Sequence, residues 1–89
     1  MKIKELLKNR WKWTKGAFAR TWYGTKTEYY SSNASRFCLL GALLKCYNFD
    51  FEEPGTKIEL KIGGTISEWN DNPDRTFAEV KQLVEELDI

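Results

Sequence analysis

Eighty-nine residues, 42% hydrophobic and 15% aromatic, suffice for one compact domain and exclude a disordered chain. No apolar run approaches the ~18 residues of a membrane span, and Met1-Lys2-Ile3-Lys4-Glu5 lacks the apolar stretch of a secretion signal, so a cytoplasmic domain is expected. The net charge of +1 hides an asymmetry: residues 1–45 hold ten Lys and Arg against two acids, and residues 46–89 hold four against eleven. The two halves either fold against each other and cancel part of these fields, or leave a basic face for an anionic partner.

Ile3, Leu6, Leu7 and Trp11 fall at helical spacing with lysines between them, which predicts an amphipathic helix over residues 2–10. From Trp11 to Tyr30 the chain is aromatic and Thr-rich around Gly24, the composition of a hairpin or long ribbon. Ser31-Ser32-Asn33 offers three successive N-caps for a helix over 33–47. That helix is apolar on every side through Phe37-Cys38-Leu39-Leu40-Gly41-Ala42-Leu43-Leu44, so it belongs at the centre of the fold. Gly41 costs about 1 kcal/mol relative to Ala inside a helix. Close approach by another element, a Trp ring being one candidate, would offset that cost.

Asn48 to Gly55 reads as a turn-rich acidic connector. Residues 57–62 alternate Ile58, Leu60 and Ile62 with polar residues, which suits a strand, while a short helix suits the length equally. Gly63-Gly64 ends that element, a brief element then delivers Trp69, and Asn72-Pro73-Asp74 is a turn. Thr76-Phe77-Ala78-Glu79 is a capping box that opens a last helix over 77–87. The expected fold is α+β: a small single domain with a central buried helix, flanked by N- and C-terminal helices, and a short β-ribbon from residues 13–30.

Three strings carry a resemblance across roughly Trp11 to Leu87: Trp13-Thr14-Lys15-Gly16-Ala17, Cys38-Leu39-Leu40-Gly41-Ala42, and Trp69-Asn70-Asp71 followed by Arg75-Thr76 and Glu79-Val80. Together they resemble a family of small bacterial and phage domains of unknown function. The resemblance implies no activity, substrate or cofactor, and its kinship points to a phage accessory protein. The chain departs from the family pattern in the acidic stretch 50–57 and in its Lys- and Trp-rich opening. Residues 11–30 are therefore where a property peculiar to this chain is sought.

Histidine is absent, which removes the commonest general base, the Ser-His-Asp and Cys-His arrangements, and the usual zinc ligands. Cys38 and Cys46, eight residues apart on one helix, would lie ~12 Å apart and stay free thiols in apolar surroundings. No phosphate-binding glycine motif is present, and no metal or cofactor is expected. Trp13 and Phe18 are assigned to the core. Arg20, Trp22, Tyr23, Lys26, Tyr29 and Tyr30 interleave cations with rings, which suits protein-interface hot spots or single-stranded nucleic acid. Trp69, Asn70, Asp71 and Arg75 form a second candidate, weighed against a structural loop in which Asp71 and Asp74 bond their own backbone and Arg75 pins a carboxylate. The expected function is a non-enzymatic binding module, a phage accessory or counter-defence protein acting on a host protein. The alternative is a nucleotide or nucleic-acid binder working through residues 10–30.

Overall fold

The computed structural model describes residues 1–89 as five α-helices and a three-stranded antiparallel sheet. In chain order these are α1 (Ile3–Leu6), β1 (Ala19–Arg20), β2 (Lys26–Thr27), β3 (Arg36–Phe37), α2 (Leu39–Tyr47), α3 (Glu52–Ile62), α4 (Ile66–Asp71) and α5 (Phe77–Leu87). The architecture is the expected small α+β domain, and no helix is long and apolar enough to cross a membrane.

The sheet order is β2-β1-β3, with Ala19 opposite both Thr27 and Phe37, and Arg20 opposite both Lys26 and Arg36. Ala19 and Phe37 are buried, so this row faces the core and the neighbouring row faces outward. That alternation corrects the placement of Phe18, which precedes inward-facing Ala19 and is 50% exposed. Trp13 does pack against the core, beside the ring of Phe77 at 6.2 Å.

Helix α2 begins at Leu39, six residues later than the caps at Ser31-Ser32-Asn33 predict. The reason is long-range pairing. Ser35 N–H donates to Arg20 O (2.8 Å) and Cys38 N–H to Phe18 O (3.1 Å), which draws residues 35–38 into the sheet. Ser31 caps only a turn, accepting from Asn33 N–H at 3.1 Å. Cys38 is itself the N-cap, its Sγ accepting from Gly41 N–H at 3.2 Å.

The first helix is also shorter than expected. It stops at Leu6 because the Asn9 side chain accepts from Trp11 N–H and opens a separate 3₁₀ turn over Arg10–Lys12. Residues 57–62 are helical, and the supposed connector supplies the start of the same helix, α3. Glu52 and Glu53 sit in its first turn, where acids favour the helix dipole, and Pro54 lies where an amide hydrogen has no intrahelical partner. Ile58 is buried and Ile62, one helical turn on, packs against the core, while Leu60 is exposed, so the apparent alternation was an inward i, i+4 pair with an outward residue between them. Gly63, at φ +71°, ends α3 in the left-handed conformation.

The capping box of α5 forms as read. Glu79 N–H donates to Thr76 Oγ1 (3.3 Å), and Thr76 N–H donates to Glu79 Oε1 (2.9 Å). The termini close on each other. Ile3 N–H donates to Ile89 O, Tyr47 Oη–H donates to the same oxygen at 3.2 Å, and Lys2 and Lys4 grip Asp88. The two lysine partners hold the Asp88 carboxyl down to about 2.

Gly41 is required by a backbone approach, not by a ring. A Cβ at this position would stand 2.0 Å from Phe18 O and 2.8 Å from Phe18 C. The chain just before β1 therefore lies directly on the first turn of α2. Gly41→Ala should lower stability by about 1–3 kcal/mol through overpacking, outweighing its ~1 kcal/mol gain in helix propensity. A urea midpoint equal to the parent's would show that this crossing is looser than the geometry requires.

Candidate functional site

The two sequence candidates meet different fates. The Trp69-Asn70-Asp71 group is spent on holding the fold. Asn70, at the end of α4, is fully buried. Its Oδ1 accepts from Trp13 Nε1–H (2.7 Å) and Leu39 N–H (3.0 Å). Its Nδ2 donates to Thr14 O (3.1 Å) and Asp71 Oδ1 (2.9 Å). Both donors and both acceptor positions of the carboxamide are thereby filled, and only this orientation of the amide satisfies all four neighbours. Leu39 N–H is an orphan donor at the start of α2, so Asn70 caps that helix from another element.

Asp71 corrects the local reading, since its Oδ1 accepts from the distant Gly16 N–H at 3.0 Å. The turn former at 72–74 is Asn72, whose Oδ1 accepts from Asp74 N–H at 2.9 Å. Lys15 Nζ donates to Asn72 O (2.7 Å), which ties the two loops together again. Arg75 lies over the Trp69 ring at 3.8 Å, donates to Trp69 O, and pairs with Glu79 at 2.9 Å. Beside it runs a cleft of about 380 Å³ whose charges pair among themselves, Lys61 with Glu86 and Arg75 with Glu79. No group of three or more Cys, Asp or Glu side chains is placed to hold a metal ion.

The ribbon differs. Thr21 to Thr25 form the tip between β1 and β2, and the tip is tied down from within. Thr21 N–H donates to Thr25 O (2.8 Å), Gly24 N–H to Thr21 O (2.9 Å), and Arg20 Nη1 to Gly24 O (2.9 Å). Gly24 has φ +88° and open space around its Cα, so glycine serves conformation here and not clearance. From this fixed frame Trp22 is 69% exposed and Tyr23 92% exposed. Tyr30 is 68% exposed and stands edge-on to Tyr29 at 5.2 Å.

The other ribbon candidates divide. Tyr29 packs partly against the core. Arg20 is occupied, donating to Thr14 Oγ1 (3.0 Å) and Lys15 O (3.1 Å) besides Gly24 O. Lys26 is exposed and makes no ion pair. Arg36 was not a candidate in the sequence, because its segment reads as helix and hides its place in the sheet. Phe49, 89% exposed on a 3₁₀ turn, was likewise invisible inside the connector.

Both cysteines are free. Burial raises the Cys38 thiol and pushes Cys46 up to about 11, so neither is poised as a nucleophile near neutral pH. Alkylation of the native protein at pH 8 should be slow at both positions and prompt after unfolding. Prompt native labelling of Cys38, read by mass, would contradict its burial. Asn70→Ala leaves Trp13 Nε1–H, Leu39 N–H and Thr14 O without this partner. At ~1–3 kcal/mol for each buried group left unpaired, the loss should total at least about 3 kcal/mol. A denaturation midpoint near the parent's would mean that water replaces the carboxamide.

No curated protein and no solved structure matches the chain. A family model described as "Family of unknown function (DUF6197)" matches residues 2–87. The match spans α1 through α5 and includes all three strings that meet around Asn70, and the chain belongs to this family.

Proposed function

We propose that the protein is a non-enzymatic binding module that captures a partner protein with the tip of its ribbon, in the manner of a phage accessory or counter-defence protein working in a host cytoplasm. One observation carries this reading: Trp22 and Tyr23 are adjacent, exposed, and mounted on a loop already fixed by internal hydrogen bonds. A loop backbone held in place loses little conformational freedom on docking, and Trp and Tyr dominate interface hot spots. Tyr30 extends the same aromatic segment.

The nucleic-acid alternative draws on the cations of residues 10–30, and several of these are already engaged. Arg10 lies over Trp11 at 4.6 Å, Lys15 over Trp13 at 5.4 Å, and Arg20 is bound to three oxygens. This favours a protein partner.

The test pairs Trp22→Ser with Tyr23→Ser. Removing two hot-spot rings should cut partner recovery from host lysate more than about tenfold, since a single such residue is worth ~2 kcal/mol or more. The thermal midpoint should stay within a few degrees, as surface substitutions shift stability by about 0.5 kcal/mol or less. Recovery equal to the parent's would move the interface elsewhere. Salt-sensitive retention on single-stranded DNA, lost in the same variant, would favour the alternative.

A further inference from the structure

Lys26, Arg20 and Arg36 stand side by side on the three strands, in the sheet order β2-β1-β3. The neighbouring register positions Thr27, Ala19 and Phe37 include the two buried residues, so the three cations share the outward face. With strands ~4.8 Å apart the row spans about 10 Å. Like charges placed directly opposite one another are unfavourable in a sheet. None of the three makes an ion pair. Glu28 is the sole acid between Glu5 and Asp50, and it pairs with none of them. The Arg36 Nε is buried and has no hydrogen-bond partner. A guanidinium nitrogen taken out of water without an acceptor is costly, and this one lies in a row that repels itself.

We infer that this face is an anion site that receives an acidic, carboxylate-bearing segment of the partner protein beside the aromatic tip. The inference deepens the reading of the tip as the partner surface and rests on it for the class of partner. An Arg fork and a carboxylate match in geometry. Lys26 and Arg36 are the arms that a short run of Asp and Glu would meet, while Arg20, already donating to Thr14 Oγ1, Lys15 O and Gly24 O, adds only its charge between them. Nucleic acid is the weaker fit. Modules that bind it are strongly basic over the whole domain, whereas this chain has a net charge of +1 and a second half carrying seven excess acids.

The experiment uses the full chain and two labelled probes, an acetylated peptide of six alternating Glu and Gly residues and a dodecamer of thymidylate, read by fluorescence anisotropy at low salt. Saturable binding of the peptide, tighter than of the oligonucleotide, is expected. Lys26→Gln with Arg36→Gln should weaken it about tenfold or more, as loss of paired charges does. Lys26→Glu, at the exposed end of the row, should act in the same direction and serves where the double variant fails to fold. Trp22→Ser with Tyr23→Ser should leave peptide affinity within about twofold, because the probe has no apolar anchor for the tip to grip. Absence of saturable peptide binding, equal affinity in the row variants, or tighter binding of the oligonucleotide would each overturn the inference. Peptide binding that depends on the row, together with unchanged partner capture by the tip variant, would uphold the anion site and reject the tip.

Discussion

The Asn70 carboxamide is the constraint on which the other contacts depend. A buried amide is tolerable only when all its polar atoms are paired, because each one left bare costs about 1–3 kcal/mol. Asn70 meets this condition by drawing on three separate stretches of chain: Trp13 and Thr14 before the sheet, Leu39 at the start of α2, and Asp71 beside itself. Asp71 then reaches Gly16, and Lys15 reaches Asn72 and Pro73, so the segment 13–16 is bonded to the loop 70–73 at several points. In a chain of this size the apolar core alone gives little margin over conformational entropy. A saturated polar junction at its edge selects one arrangement of the elements among those that would bury similar area.

The second constraint follows from the first. Once segment 13–16 is fastened to α4, residues 17–19 must pass over the start of α2. Only a residue without a side chain at position 41 lets the Phe18 carbonyl approach. That carbonyl in turn accepts from Cys38 N–H, and Cys38 Sγ accepts from Gly41 N–H. The Trp-x-x-Gly-Ala, Cys-Leu-x-Gly-Ala and Trp-Asn-Asp strings are thus three sides of one contact.

What could be read from the sequence was local. The capping box at Thr76 and Glu79 needs residues three apart and nothing else, and it forms as its spacing says. The stop at Gly63 is equally local. The start of α2 was hidden because three good N-caps at Ser31, Ser32 and Asn33 lost to hydrogen bonds between residues 35–38 and β1, partners fifteen or more positions away. In the sequence, the helical residues 57–62 suit a strand equally well, because Leu60, an exposed apolar residue, imitates a strand's period. The candidate sites follow the same division. Exposure of Trp22 and Tyr23 at a Gly24 turn was readable from composition. The role of Asn70 was not, since an Asn after a Trp carries no sign that its partners lie 31 and 57 residues distant.

This division bears on where a partner can be engaged. The polar groups of the Trp69-Asn70-Asp71 loop are nearly all satisfied within the molecule, and to bind a ligand they would first have to break bonds that define the fold. The charged residues of the cleft by Trp69 are paired with each other, and opening either pair to a ligand would return no more than it removes. The ribbon is the opposite case. Its frame is fixed by Arg20 and the Thr21–Thr25 bonds, while Trp22, Tyr23 and Lys26 contribute to no internal pairing. Lys2 and Lys4 on Asp88 supply the only ion pairs between the basic and acidic halves. Groups that do not hold the fold together can change partner without changing stability, and Trp22 and Tyr23 at the tip, with Lys26 beside them, are such groups.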